Sequence, residues 1–252
     1  MSIPWSKPKL DKKDKYHLDK AFLSSWISGG PYVTKFQEKF KKVLNRKYTF
    51  ATSNGTSAIH LALLSLNLKS KDEIIIPAFG YLAAANISKM MGLNVIFSDV
   101  DKKSYCISLD EIKSKISKKT KVVIIINTYG NMCEIDRIEK YLKKKKIVLI
   151  EDAAESLGSR YKKKRSGEVG DISTFSFHAT KNITTGEGGM VLTNNKKYAK
   201  KIELFRNHGV DKERYKHLVH GYNFRLSNLL ASIGYSQSLK ISNINKKKKT
   251  NL

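Results

Sequence analysis

The chain has 252 residues, 40% of them hydrophobic, which suffices for the core of one large domain or two small ones. Forty-eight Lys and Arg against 22 Asp and Glu give a formal charge of +26, a field that attracts polyanions. No apolar run approaches the roughly 20 residues that span a bilayer, and two cysteines, Cys106 and Cys133, make neither a disulfide framework nor a metal-ligand spacing. No metal site is expected, and both thiols read as buried and free. The opening Met1-Ser-Ile-Pro-Trp5 lacks the apolar stretch of a signal peptide, so a cytoplasmic protein is expected. The basic runs at 143–146, 162–165 and 246–249 are scattered and not interleaved with aromatics as a base-stacking surface requires. They predict no dedicated nucleic-acid role, while the positive field suits a ligand carrying a diphosphate.

Helices and strands alternate along the chain. Amphipathic helices are predicted over 17–27 and 34–44, broken by Ser28-Gly-Gly-Pro31. Ser53-Asn-Gly-Thr-Ser57 leads into a helix over 57–64, and the strand 73–76 closes at Pro77. A helix near 83–91, a strand at 94–98 and a capping box at Ser108 and Glu111 opening a helix to about 117 come next. Then follow a strand at 122–127, a helix at 135–145 and a strand at 147–151. Short polar strands and turns occupy 159–170; strands at 171–177 and 189–193 flank a polar loop, and helices are predicted at 196–206 and from Ser227. Helices between β-branched apolar strands imply crossover connections and a mainly parallel sheet covered on both faces.

Three segments carry chemistry. Ser53-Asn-Gly-Thr-Ser57 offers free N–H groups, hydroxyls and a close-approach glycine at a helix start, which suits an anion. Taken alone, it reads first as an ordinary N-cap. In Ile150-Glu-Asp-Ala-Ala-Glu155, Asp152 falls at the carboxyl end of a parallel strand, where open α/β sheets bind ligands; an acidic N-cap is the alternative. In Phe175-Ser-Phe-His-Ala-Thr-Lys-Asn-Ile-Thr-Thr-Gly-Glu-Gly-Gly189, Lys181 sits between a strand and a glycine-rich turn. A lysine amine there becomes a nucleophile toward an aldehyde if its surroundings lower its pKa.

On Ser176-Phe-His-Ala-Thr-Lys181 with Gly186-Glu-Gly-Gly189 above all, the chain resembles the DegT/StrS sugar aminotransferases, pyridoxal 5′-phosphate (PLP) enzymes. Asn54-Gly-Thr56, Pro77-Ala-Phe-Gly-Tyr81, Glu151-Asp-Ala-Ala154 and Asn223-Phe-Arg225 follow the family's order, and the likeness runs from about 20 to 240. The resemblance implies an α/β fold of the PLP-dependent aspartate-aminotransferase type. Its parts would be an N-terminal helical segment (1–30), a PLP-binding large domain (31–225) and the start of an interdomain helix with a basic tail (226–252). The family's small C-terminal domain is expected to be largely missing.

The resemblance further implies that Lys181 carries PLP as a Schiff base and moves the proton, while Asp152 pairs with the pyridine nitrogen. Glu155, where relatives often have Gln, would lie beside the 3-hydroxyl, and Tyr81 would stack on the ring. Thr56, Ser57 and Ser176 would bind the phosphate, joined by Asn223 from the other subunit of a homodimer. His178 is expected to be structural. The implied reaction converts a keto group of a nucleotide-diphosphate-linked deoxysugar to an amine, with glutamate as donor. Intact Lys181 favours transamination over dehydration. Two other readings stand beside it: a truncated relative that binds PLP without turnover, and a basic binding protein on the same scaffold.

Overall fold

The computed structural model describes residues 7–211, 213 and 215–244; the basic run at 246–249 and the end of the 226–252 segment lie outside the described residues. Helix α1 (Lys12–Leu23) begins earlier than its apolar pattern suggests, because Asp11 and Asp14 form a reciprocal capping box. It ends at Leu23 rather than near 27. Helix α2 (Pro31–Val43) begins on its proline, which supplies a helical φ and lacks only an N–H that would go unbonded anyway.

The remaining elements are β1 (Tyr48–Thr52), α3 (Gly55–Leu64), β2 (Glu73–Pro77), α4 (Ala83–Met90), β3 (Asn94–Ser98) and α5 (Leu109–Lys115), followed by β4 (Thr120–Ile126), a 3-10 turn at Thr128–Gly130, α6 (Ile135–Lys145) and β5 (Val148–Asp152). Then come the two-residue strands β6 (Arg160–Tyr161) and β7 (Lys164–Arg165), β8 (Ile172–Ser176), β9 (Gly189–Thr193), α7 (Lys196–Arg206) and α8 (Asn228–Leu239). At the start of α5 the Ser108 half of the expected capping box forms, Ser108 Oγ accepting from Glu111 N at 3.1 Å, and Glu134 Oε1 adds a further cap by accepting from Leu109 N.

Seven strands join in the order β1-β9-β8-β5-β4-β2-β3. The pairs β2–β3, β2–β4, β4–β5 and β5–β8 are parallel, and β9 runs antiparallel between β8 and β1. The expected mainly parallel α/β sheet is therefore what forms. Alternation decides its two faces. Ile74, Ile76, Val122, Ile124, Ile150 and Val191 pack under α3, α4 and α7. Their strand neighbours Ile75, Val123, Ile125 and Leu149 pack under α5 and α6, and Met190 and Leu192 join a cluster built on α2 and α8. Within that cluster Phe36, Phe40, Phe175 and Phe177 are in contact, with ring centroids 5.0–5.7 Å apart across the pairs that link α2 to β8 and its continuation. Such pairs add about 0.5–1.5 kcal/mol each beyond burial. They fix β8 so that Ser176, between two buried phenylalanines, turns the other way.

Helix α1 lies on α8. Asp14, buried, accepts from Gln237 Nε2 at 2.7 Å and from Lys240 Nζ at 2.8 Å. No helix among the described residues is long and apolar enough to cross a membrane.

Candidate active site

Because β2, β4, β5 and β8 are parallel, their carboxyl ends share one edge of the sheet. β1, antiparallel to β9 as β8 is, delivers the start of α3 to the same edge. A cavity of about 870 Å³ opens there, walled by residues that follow each strand: Asn54 to Thr56, Ala78 to Tyr81, Thr128 and Tyr129, Asp152, Ala154 and Glu155, and Ser176, His178, Thr180 and Lys181. This is where open parallel sheets hold ligands.

One end of the cavity suits an anion. Asn54 caps α3 by accepting from Ser57 N at 2.8 Å, and Gly55 and Thr56 carry first-turn N–H groups that a helix cannot bond internally. Glycine is required at two contacts here. A Cβ on Gly55 would stand 2.9 Å from Ser176 Cβ, and one on Gly189 would stand 2.3 Å from Asn54 O. Thr56 and Ser176 both face the cavity. Ser57 is placed differently: it is buried behind the cap, its hydroxyl 2.9 Å from Asn54 Oδ1 and 3.0 Å from Ser53 Oγ.

The other end carries charge. Asp152, the last residue of β5, is buried, and burial pushes its pKa up to about 6 against the pull of the Ala154 N–H and the Lys181 charge. Lys181 Nζ lies 3.3 Å from Glu155 Oε1, and Glu155 Oε2 accepts from Tyr129 N at 3.1 Å. Tyr81 is 79% exposed at the rim. Asn223 does not wall this cavity; it is exposed, its Oδ1 accepting from Arg225 Nε at 3.0 Å. His178, expected to be structural, is exposed on the cavity wall with Nδ1 3.0 Å from Thr180 Oγ1.

Two cavity residues went unmarked in the sequence, and Glu151, although within a motif, was given no role of its own. Thr128 and Tyr129 line the cavity although no motif marked them, and Tyr129 holds φ at +54°. Glu151 points to the opposite face from Asp152. There it is wholly buried and accepts from Asn127 Nδ2 (2.8 Å), Ser166 Oγ (3.1 Å), Gly167 N (3.0 Å) and Val169 N (3.2 Å). Burial still raises its pKa to about 7, opposed by the Gly167 N–H and the Arg46 charge. Both cysteines are free and buried, and among the described residues no cluster of His, Cys, Asp and Glu could hold a metal ion.

The family model described as the DegT/DnrJ/EryC1/StrS aminotransferase family matches residues 8–252. The chain belongs to that family. Among DegT/DnrJ/EryC1/StrS relatives, the GDP-perosamine synthase of Escherichia coli O157:H7 is 42% identical over 93% of this chain. The chain spans 65% of that protein's length. Helicobacter pylori PseC, an aminotransferase of pseudoaminic acid biosynthesis, superposes with a TM-score of 0.90 at 30% identity, covering 96% of this chain and 67% of that one. A GDP-4-keto-6-deoxymannose-3-dehydratase with a trapped PLP-glutamate geminal diamine matches with a TM-score of 0.90 at 28% identity, covering 96% and 69%.

Proposed function

We propose that the cavity binds PLP and that the chain is the cofactor-binding part of a transaminase. It would aminate a keto group of a nucleotide-diphosphate deoxysugar, with glutamate as donor. The observation that carries this is the convergence of Lys181, Asp152 and Glu155 at one end of a cavity whose other end is a helix N-terminus. The residues fit the group. Burial outweighs the Ala154 N–H and the Lys181 charge and leaves the Asp152 pKa raised to about 6, and a protonated ring nitrogen would supply the countercharge still wanting. Thr56, Ser176 and the first turn of α3 would take the phosphate, Ser57 would position that turn through Asn54, and Tyr81 would cover the ring. Bound there, PLP supplies an electron sink for the carbon that gains or loses the amine.

This chain's own residues do the rest. Lys181 would hold the cofactor through Nζ and carry the proton between the substrate carbon and cofactor C4′. Asp152 would keep the ring nitrogen protonated. Glu155 would orient both Lys181 and the 3-hydroxyl edge. Asn223, exposed and away from its own cavity, suits the phosphate site of a second copy in a homodimer. The relative named for GDP-perosamine favours a guanosine-diphosphate sugar. A dehydratase is the second reading, prompted by the matching dehydratase structure, and intact Lys181 weighs toward transamination.

The test is purification with PLP, borohydride reduction and peptide mapping, followed by spectra with glutamate. Lys181 should be the labelled residue, and glutamate should convert the bound cofactor to its amine form. Label on another lysine, or none in folded protein, ends the proposal.

A further inference from the structure

His178 and Glu187 stand together on the cavity wall, and the cofactor assignments use neither. His178 Nδ1 accepts from Thr180 N at 3.3 Å, with Thr180 Oγ1 at 3.0 Å. A backbone N–H can only donate, so in the neutral ring the hydrogen sits on Nε2. Nε2 lies 3.7 Å from Glu187 Oε1, beyond hydrogen-bond length, and the two side chains are 47% and 63% exposed. A donor and an acceptor are therefore side by side, each still open to a ligand. An exposed ion pair by itself is ordinarily worth little. The backbone beneath this one is unusually fixed. Thr185 Oγ1 donates to Glu187 O at 2.7 Å, Gly186 N to Thr184 Oγ1 at 2.8 Å, and Phe177 N to Gly188 O at 2.7 Å. Gly186 holds φ at +83°, and a Cβ on Gly188 would stand 2.2 Å from Thr185 Oγ1. The His178 carbonyl accepts at 2.9 Å from the N–H of Lys181, the residue assigned to the cofactor. Side chains held on such a backbone are preorganised for a ligand.

Charge narrows the kind of ligand. Around the cavity the carboxylates of Asp152, Glu155 and Glu187 face a single lysine, Lys181. A diphosphate, or the carboxylates of an amino donor, would meet Glu187 as a like charge. A hydroxyl meets no such repulsion and uses both partners, accepting from Nε2–H and donating to Oε1. Two atoms 3.7 Å apart are both within ordinary hydrogen-bond reach of one oxygen. Resting on the sugar-transaminase reading above, we propose that His178 and Glu187 are specificity-determining residues that together bind one hydroxyl of the substrate's sugar ring.

Calorimetric titration of the PLP-loaded protein compares GDP-mannose with GDP, and UDP-N-acetylglucosamine with UDP. The sugar should tighten binding of at least one nucleotide by about ten-fold, as a hydrogen bond to a charged group implies. His178→Phe and Glu187→Ala should each remove most of that increment while the bare nucleotide binds as before. The double variant should lose no more than either single one, because one hydroxyl joins both side chains. His178→Gln, which keeps an N–H donor near the Nε2 position, should retain it. Should a variant not fold, the Nε2 nuclear magnetic resonance signal of His178 in the parent decides: it should move with the sugar nucleotide and not with the bare one. A parent that binds neither sugar nucleotide more tightly than its bare diphosphate, or variants that keep the increment while Lys181 still labels, would overturn the assignment of this pair alone. Failure of the parent to label at Lys181 would overturn the cofactor reading and this inference with it.

Discussion

Glu151 and Asp152 are consecutive and buried, yet they occupy opposite kinds of place. Glu151 meets donors from the end of β4 and from the loop after β7, with the Arg46 guanidinium behind that loop donating to Gly167 O, Val169 O and Ser173 Oγ. Asp152 accepts from one backbone N–H and shares a cavity with Lys181, Glu155 and Glu187. Both pKa values rise because burial outweighs the donors each has. The donors tell the two apart. A carboxylate enclosed by protein donors holds loops together, and one whose remaining surroundings are a cavity is arranged for something that arrives.

The two carboxylates can be tested against each other. The largest effect should come from Asp152→Asn, which keeps the shape and removes the charge. PLP should still bind and the apo protein should unfold no earlier, but transamination should fall by about a hundred- to a thousand-fold. Single-turnover kinetics with glutamate measure it, and a near-normal rate would remove Asp152 from the chemistry. Glu151→Ala should do the reverse. It strands two backbone N–H groups, Asn127 and Ser166, and should destabilise the apo protein by about 3 kcal/mol in urea unfolding.

The smallest effect is in pH. Folded-state pKa values near 7 and 6 stand above the ordinary 4.5 and 3.8, so the native state holds more protons than the unfolded chain in between. Apo stability should therefore fall as pH rises from roughly 4 to 7, each carboxylate contributing at most about 1.4 kcal/mol for every pH unit crossed. Below that window Asp11, Asp110 and Asp136, held low by lysine partners, act in the opposite sense. Glu151→Gln should flatten the slope in both apo and PLP-loaded protein. PLP itself should remove only the Asp152 share, because a cationic ring nitrogen pulls that carboxylate back down. A loaded protein with the full apo slope would contradict the pairing.

Much of this was legible in the residues. Asp152 and Lys181 lie in short motifs whose strand and turn signals are local, and the parallel sheet followed from β-branched runs separated by helices. Alternation along β5 was also available, and it implied that Glu151 faces away from Asp152. What it could not supply was the loop that closes over Glu151, since Gly167 and Val169 arrive from 16 and 18 residues away. Thr128 escaped because it lines the cavity only through the adjacency of β4 and β5. The start of α1 escaped for a related reason. Its first turn, Lys12 to Lys15, has no apolar residue, and Asp14 is satisfied by Gln237 from 223 residues further along.

That last contact sets a timetable. At about 5–20 residues per second of synthesis, α1 emerges on the order of ten to forty-five seconds before α8 exists to cover it. Through that interval Ala21 has no α8 to lie against, and Phe22, Leu23 and Trp26, exposed even in the finished fold, add to the sticky surface. The growing chain thus presents an apolar, lysine-rich helix while the sheet assembles behind it. Helix α2, whose Phe36 and Phe40 share a cluster with α8, waits for the same partner.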